Sequence, residues 1–92
     1  PILMSGKKHV AILGSTGSIG KQTLEVIQAH PGKFEVEVLT AQNNAELLIE
    51  QALQFQPNCV VIGNEALYAT VKDALSGQDI KVYAGEKALA DV

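Results

Sequence analysis

One junction constrains this chain more than any other. The apolar run Val10-Ala11-Ile12-Leu13 passes directly into Gly14-Ser15-Thr16-Gly17-Ser18-Ile19-Gly20-Lys21. The run predicts a strand. Beyond it, Ile19, Thr23, Val26 and Ile27 recur at helical spacing until Pro31-Gly32 ends the pattern. A strand that turns through glycines into a helix is the setting in which backbone binds phosphate. Gly14 permits the tight exit from the strand. Gly17 lets backbone approach an anion with no Cβ in the way, and Gly20 lets the helix pack close to the sheet. The helix N-terminus adds unpaired N–H groups and a partial positive charge. Thr16 and Ser18 add hydroxyls. The spacing G-x-x-G-x-x-G departs by one residue from G-x-G-x-x-G. The P-loop is excluded by count: five residues separate Gly14 from Gly20, and Gly20-Lys21 is followed by Gln22. A glycine-rich turn with no ligand is the plain alternative.

The rest of the chain repeats the alternation. Phe34 to Thr40, Cys59 to Ile62 and Ile80 to Ala84 read as further strands. In the first of these, Phe34, Val36 and Val38 are expected on one face, and Glu35 and Glu37 on the other. Between the strands, Leu48, Ala52 and Phe55 predict a second helix closed by Pro57. Leu67, Tyr68, Val71 and Leu75 predict a third, capped by Asn64 and ended by Ser76-Gly77. The order β-α-β-α-β-α-β implies an α/β fold. It is a Rossmann-like parallel sheet with right-handed crossovers and helices on both faces. About four βα units are present where a full two-half nucleotide fold has six strands, so the expectation is an incomplete domain. Residues 85–92 read as the start of another helix. Residues 1–8 read as an N-terminal tail, with Met4 a candidate native start, and 9–92 as the N-terminal part of the nucleotide-binding domain.

Composition narrows the function classes. At 92 residues, with 47% hydrophobic and 18% charged, the chain is expected to fold as one small domain or part of a larger one. Seven Lys, no Arg and a net charge of −3 argue against a nucleic-acid partner. No apolar run approaches the roughly 18 residues of a membrane span. The single Cys59 excludes an intrachain disulfide framework and a cysteine zinc site, and a cytoplasmic location is the default expectation.

The end of the second strand carries information by what it lacks. NAD-binding folds place an acid about 20 residues after the glycines to accept the ribose 2′-OH. Here that stretch is Thr40-Ala41-Gln42-Asn43-Asn44. Without an acid to repel a 2′-phosphate, NADP is favoured over NAD. Thr40, Asn43 and Asn44 can all donate hydrogen bonds. One of the two asparagines is expected to cap the second helix, where Asn43 with Glu46 forms a capping-box-like start. The other remains open between capping and phosphate contact.

Gly14-Ser15-Thr16-Gly17-Ser18-Ile19-Gly20 followed by Gln22-Thr23-Leu24 resembles the N-terminal region of the 1-deoxy-D-xylulose 5-phosphate reductoisomerase family. The likeness continues through Pro31-Gly32-Lys33-Phe34, Leu39 to Asn44 and Glu46 to Pro57, then weakly to Gly85. The resemblance implies an NADPH-dependent homodimeric enzyme that uses a divalent metal, magnesium or manganese. Such an enzyme rearranges and reduces a phosphosugar to 2-C-methyl-D-erythritol 4-phosphate in non-mevalonate isoprenoid biosynthesis. It implies that Thr16, Gly17, Ser18 and Ile19 line the cofactor diphosphate. It matches Asn44, but Gln42 stands where the family commonly has Gly, and Asn43 where it has Lys. The candidate cofactor residues are therefore Gly14, Ser15, Thr16, Gly17, Ser18, Ile19, Gln42, Asn43 and Asn44. The family's metal ligands and substrate contacts fall beyond Val92, so no catalytic or metal-binding residue is assigned and these residues alone are expected to be inactive. Two other readings stand beside it: a reductase of the aspartate-semialdehyde-dehydrogenase-like type, and a non-catalytic nucleotide-binding module.

Smaller features read plainly. Lys21 is a phosphate contact or a solvated lysine. His9 is a strand-end residue without an evident partner, and His30 closes the first helix. Cys59 is expected as a small core residue, and Glu46 and Glu50 as a solvated helix face. Tyr68 and Tyr83 are too isolated to form a stacking platform.

Overall fold

The structure is a computed structural model that describes residues 8–91. The candidate start at Met4 lies outside them. Lys8, expected in the tail, opens the first strand. The elements are β1 (Lys8–Ile12), α1 (Ser18–Ala29), β2 (Phe34–Ala41), α2 (Ala45–Phe55), β3 (Cys59–Ile62), a 3-10 turn (Glu65–Leu67) continuing as α3 (Tyr68–Ala74), β4 (Lys81–Ala84) and α4 (Glu86–Asp91). The four strands form one parallel sheet in the order β1-β2-β3-β4.

Each strand is added beside the one before it. Right-handed crossovers that advance in one direction stack successive helices on one face. A groove between α1 and α2 is lined by Leu24, Gln28, Leu47 and Phe55, and α2 in turn packs against α3. Under these helices Ile12, Leu24, Ile27, Val36, Leu39, Leu48, Ala52, Val60, Ile62 and Val71 form the core. Val61, which alternates with Val60 and Ile62, is also fully buried, and α4 lies against β3 and β4.

Two sequence expectations are corrected here. Of the periodic residues Ile19, Thr23, Val26 and Ile27, only Ile27 is buried, and the buried stripe of α1 is Gly20, Leu24 and Ile27. Ile19 is 80% exposed and Val26 54%. The reason is Gly20. A Cβ there would lie 2.4 Å from Gly14 O and 2.6 Å from Ser15 Cα. The helix thus rests its glycine directly on the loop that precedes it, and this contact sets its rotation. In β2 the simple alternation also fails. Val10 pairs with Val36 and Ala11 with Val38, so Glu37 has no partner in β1. This bulge puts Val36, Leu39 and Ala41 in the core while Val38 leaves it. Cys59, expected in the core, is half-buried, and burial pushes its thiol pKa up.

Candidate cofactor site

The strand-to-helix loop is held from below by polar groups. Gly14 leaves β1 at φ +72°, in the left-handed region that glycine tolerates. Its N–H donates to Thr40 Oγ1 at 2.8 Å, and the N–H of Ser15 donates to Thr40 O at 2.8 Å. Ser15 is fully buried. Its hydroxyl donates to Gln51 Oε1 at 2.7 Å, and Gln51 Nε2 donates back to Ser15 O at 2.9 Å. Thr40, Ser15 and Gln51 come from β2, the loop and α2, and each satisfies the others in a buried setting. Such a network specifies one arrangement, because a lost partner leaves a desolvated polar atom.

Above this base the loop faces outward. Gly17 N–H closes the turn on Gly14 O at 3.0 Å, and the first helical bond runs from Lys21 N–H to Gly17 O at 2.9 Å. The N–H groups of Ser18, Ile19 and Gly20 precede that bond and have no helical acceptor. Gly17 is the N-cap and supplies no side-chain acceptor, and the first turn carries no acid. Gly14, Gly17, Ser18 and Ile19 are exposed and Thr16 is half-exposed. This end of α1 is therefore uncapped, unopposed by carboxylate and open to an anion.

Beside it stands the turn after β2. Gln42, Asn43 and Asn44 are all exposed. Asn44 is the N-cap of α2, its Oδ1 accepting the N–H of Leu47 at 3.2 Å. Asn43 is the asparagine left free of capping, and its Oδ1 accepts from Asn64 Nδ2 at 3.1 Å. Gln42 lies over Gly63, where a Cβ would meet its amide at 2.6 Å. Thr40, a candidate donor from the sequence, is 3% exposed and its hydroxyl serves the loop as an acceptor. A polar cleft of about 470 Å³ opens here between Gln42, Asn43, Asn64, Glu65 and Glu86.

The loop, the α1 N-terminus and the β2 turn all lie at the carboxyl ends of the strands, where open α/β sheets bind ligands. The sequence reading missed Gln51 and Asn64. Gln51 was detectable in principle, since it shares the spacing of Leu48, Ala52 and Phe55, and a polar residue at a core position demands a partner.

The profile of the 1-deoxy-D-xylulose 5-phosphate reductoisomerase family matches residues 10–92. The chain belongs to that family. A 1-deoxy-D-xylulose 5-phosphate reductoisomerase from Phocaeicola vulgatus is 56% identical over 86 residues, covering 94% of this chain and 22% of the relative. One from Bacteroides fragilis is 57% identical over 86 residues with the same coverage. Among solved structures, the reductoisomerase from Zymomonas mobilis in complex with NADPH superposes with a TM-score of 0.91 at 36% identity. It covers 96% of this chain and 23% of that one. Another, in complex with NADPH, fosmidomycin and magnesium, gives 0.86 at 30% identity, over 92% and 21%. The chain thus spans about a fifth of the length of these reductoisomerases, and its four-stranded sheet is the Rossmann-like unit they share.

The opposite end of the sheet holds a different group. His9 Nδ1 contacts Glu35 at 3.2 Å and pairs more closely with Glu37, which also accepts from Asn58 Nδ2. This corrects the reading of His9 as a residue without a partner. The hydrogen bond to Glu37 raises the His9 pKa above its ordinary value. The bonds from His9 and Asn58 hold the Glu37 carboxyl below its own. Among the described residues these three are the group whose His and carboxylate atoms come close enough to share an ion. No helix among the described residues is long and apolar enough to cross a membrane.

Proposed function

We propose that this chain is the NADPH-binding part of a reductoisomerase. The full enzyme would convert 1-deoxy-D-xylulose 5-phosphate to 2-C-methyl-D-erythritol 4-phosphate in non-mevalonate isoprenoid synthesis. The observation that carries the reading is the uncapped N-terminus of α1, whose first three N–H groups lack helical acceptors, held by the Thr40–Ser15–Gln51 network. Thr16, Gly17, Ser18 and Ile19 would receive the cofactor diphosphate there. Gln42, Asn43 and Asn44 would face the adenosine ribose. Ser15 takes a positioning role, since its side chain is turned inward. When bound, NADPH supplies the hydride. This chain's part is to hold and orient it.

A divalent metal, magnesium or manganese, belongs to the same proposal for the full enzyme, as magnesium accompanies a neighbouring structure. The residues here do not fit that metal. His9 and Glu35 lie at the amino ends of their strands, with Glu37 beside them in the first half of β2, away from the cofactor loop. The phosphosugar substrate, a homodimeric state and a cytoplasmic location complete the proposal, supported by family membership.

The test is a fluorescence titration of the complete gene product with NADPH and NADH, followed by a turnover assay with substrate and magnesium or manganese. Tighter binding of NADPH and metal-dependent turnover are expected. Equal binding of both nicotinamides would overturn the NADPH assignment. The 92 residues alone are expected to show no turnover.

A further inference from the structure

The amides at the end of β2 have a fixed polarity, and its source lies on another strand. The turns after β2 and β3 are stitched together by backbone: Gly63 N–H donates to Ala41 O and Asn64 N–H to Gln42 O, both at 2.8 Å. Within that frame Asn64 Oδ1 accepts the N–H of Ala66 at 3.0 Å. An amide whose oxygen is engaged in this way presents its nitrogen to the other side. Asn64 Nδ2 accordingly donates to Asn43, and Asn43 must offer its oxygen in return. The Asn43 NH₂ group is left pointing away from Asn64. Asn44 is fixed in the same sense, because its oxygen caps α2. Among the described residues, neither the Asn43 nor the Asn44 Nδ2 has a hydrogen-bond partner.

We infer that Asn64 is a positioning residue for nicotinamide selectivity. It forces Asn43 to present donors, and so suits the site to a ribose 2′-phosphate over a 2′-hydroxyl. This rests on the NADPH reading above. The physical basis is that a donor to a charged phosphate oxygen makes a bond roughly twice as strong as one to a neutral oxygen. The polarity matters because no cation lines the cleft, so attraction for a phosphate must come from amide donors. Its charged lining residues are the two acids Glu65 and Glu86. Selectivity here depends on which end of an amide faces the ligand.

Asn64→Asp tests this. Aspartate still caps through Ala66 N–H, so the turn keeps its acceptor. It cannot donate, so Asn43 must rotate to donate toward it and present its carbonyl to the ligand. The ratio of NADH to NADPH dissociation constants is expected to fall about tenfold or more. The added charge alone also repels phosphate, and the double-mutant cycle with Asn43→Ala separates the two effects. In the Asn43→Ala background, Asn64→Asp is expected to change the ratio by about threefold or less. Asn64→Ser keeps a capping oxygen, adds no charge and is too short to hold Asn43, and it should lower the ratio to an intermediate value. Each measurement is a cofactor titration of the complete gene product, with a melting curve to confirm folding. The same fold-change in both backgrounds overturns the inference while leaving the NADPH reading intact. Failure of the unaltered protein to bind either nicotinamide overturns both.

Discussion

The two ends of the sheet are built on opposite principles. At the carboxyl end, polar side chains are buried and point inward, and what they expose is backbone. Ser15, Thr40 and Gln51 are each under 7% exposed, and together they hold up a loop whose N–H groups face solvent. At the amino end, His9, Glu35 and Glu37 carry the charge themselves, and water reaches all three, Glu37 least. The first arrangement is rigid because a slip in the network strands a desolvated group. The second is cheap to break because water replaces either partner. Charge therefore marks the tolerant group of this molecule, and the exacting network of Ser15, Thr40 and Gln51 carries none.

That contrast can be attacked at its strongest point first. Gly20→Val sets a branched side chain against Gly14 O and Ser15 Cα, both backbone, and a helix cannot give way there without losing the loop. A destabilisation of about 3 kcal/mol or more is expected by urea unfolding, with cofactor binding lost. Wild-type stability would show the helix free to move. Gln51→Leu comes next. It leaves Ser15 O buried without its donor and leaves the Ser15 hydroxyl only the longer bond to Thr40 O at 3.3 Å. A loss of about 1–3 kcal/mol is expected in the same measurement, with weaker NADPH binding, because the loop loses its support.

Ser18→Glu separates stability from function. A carboxylate in the first turn of α1 favours the helix dipole, so the melting temperature should hold or rise slightly. The same charge occupies the anion position, and NADPH affinity should fall about tenfold or more. Unchanged affinity would remove the loop from the site.

The smallest effect belongs to the amino end. Folding raises the His9 pKa, so that contribution is complete below the unfolded value of 6.5 and lost as pH rises through the folded one. Folding lowers the Glu37 pKa, so that contribution is complete above 4.5 and lost as pH falls. The stability difference between wild type and His9→Gln should peak between those values and vanish in alkali. A difference that is flat with pH would break the pairing.

Much of this was legible in the sequence because the periodicities are local. Cys59 to Ile62 announces a buried strand by composition alone, and the glycine spacing places the turn before α1. The errors arose where a distant element decides. Ile19 and Val26 look like core positions, but the closest contact of α1 is made by a residue with no side chain. His9 finds Glu37 only through the register of β1 on β2 and the bulge within it. The sequence alone does not divide Asn43 and Asn44 between capping and ligand contact. The division depends on Asn64, which arrives one strand later.

The strand order has a consequence for how the chain comes into being. Lys8 reaches Phe34, Val38 reaches Cys59 and Cys59 reaches Lys81, so every pairing spans a single helix and nearly the same length of chain. Closing each loop costs about the same entropy, since that cost grows only with the logarithm of length. Among the described residues, no strand waits for a partner made much later. A polypeptide emerging from the ribosome can therefore lay each unit onto the last, in the order of translation, with the glycine turn before α1 begun at the first step and braced by Gln51 at the second.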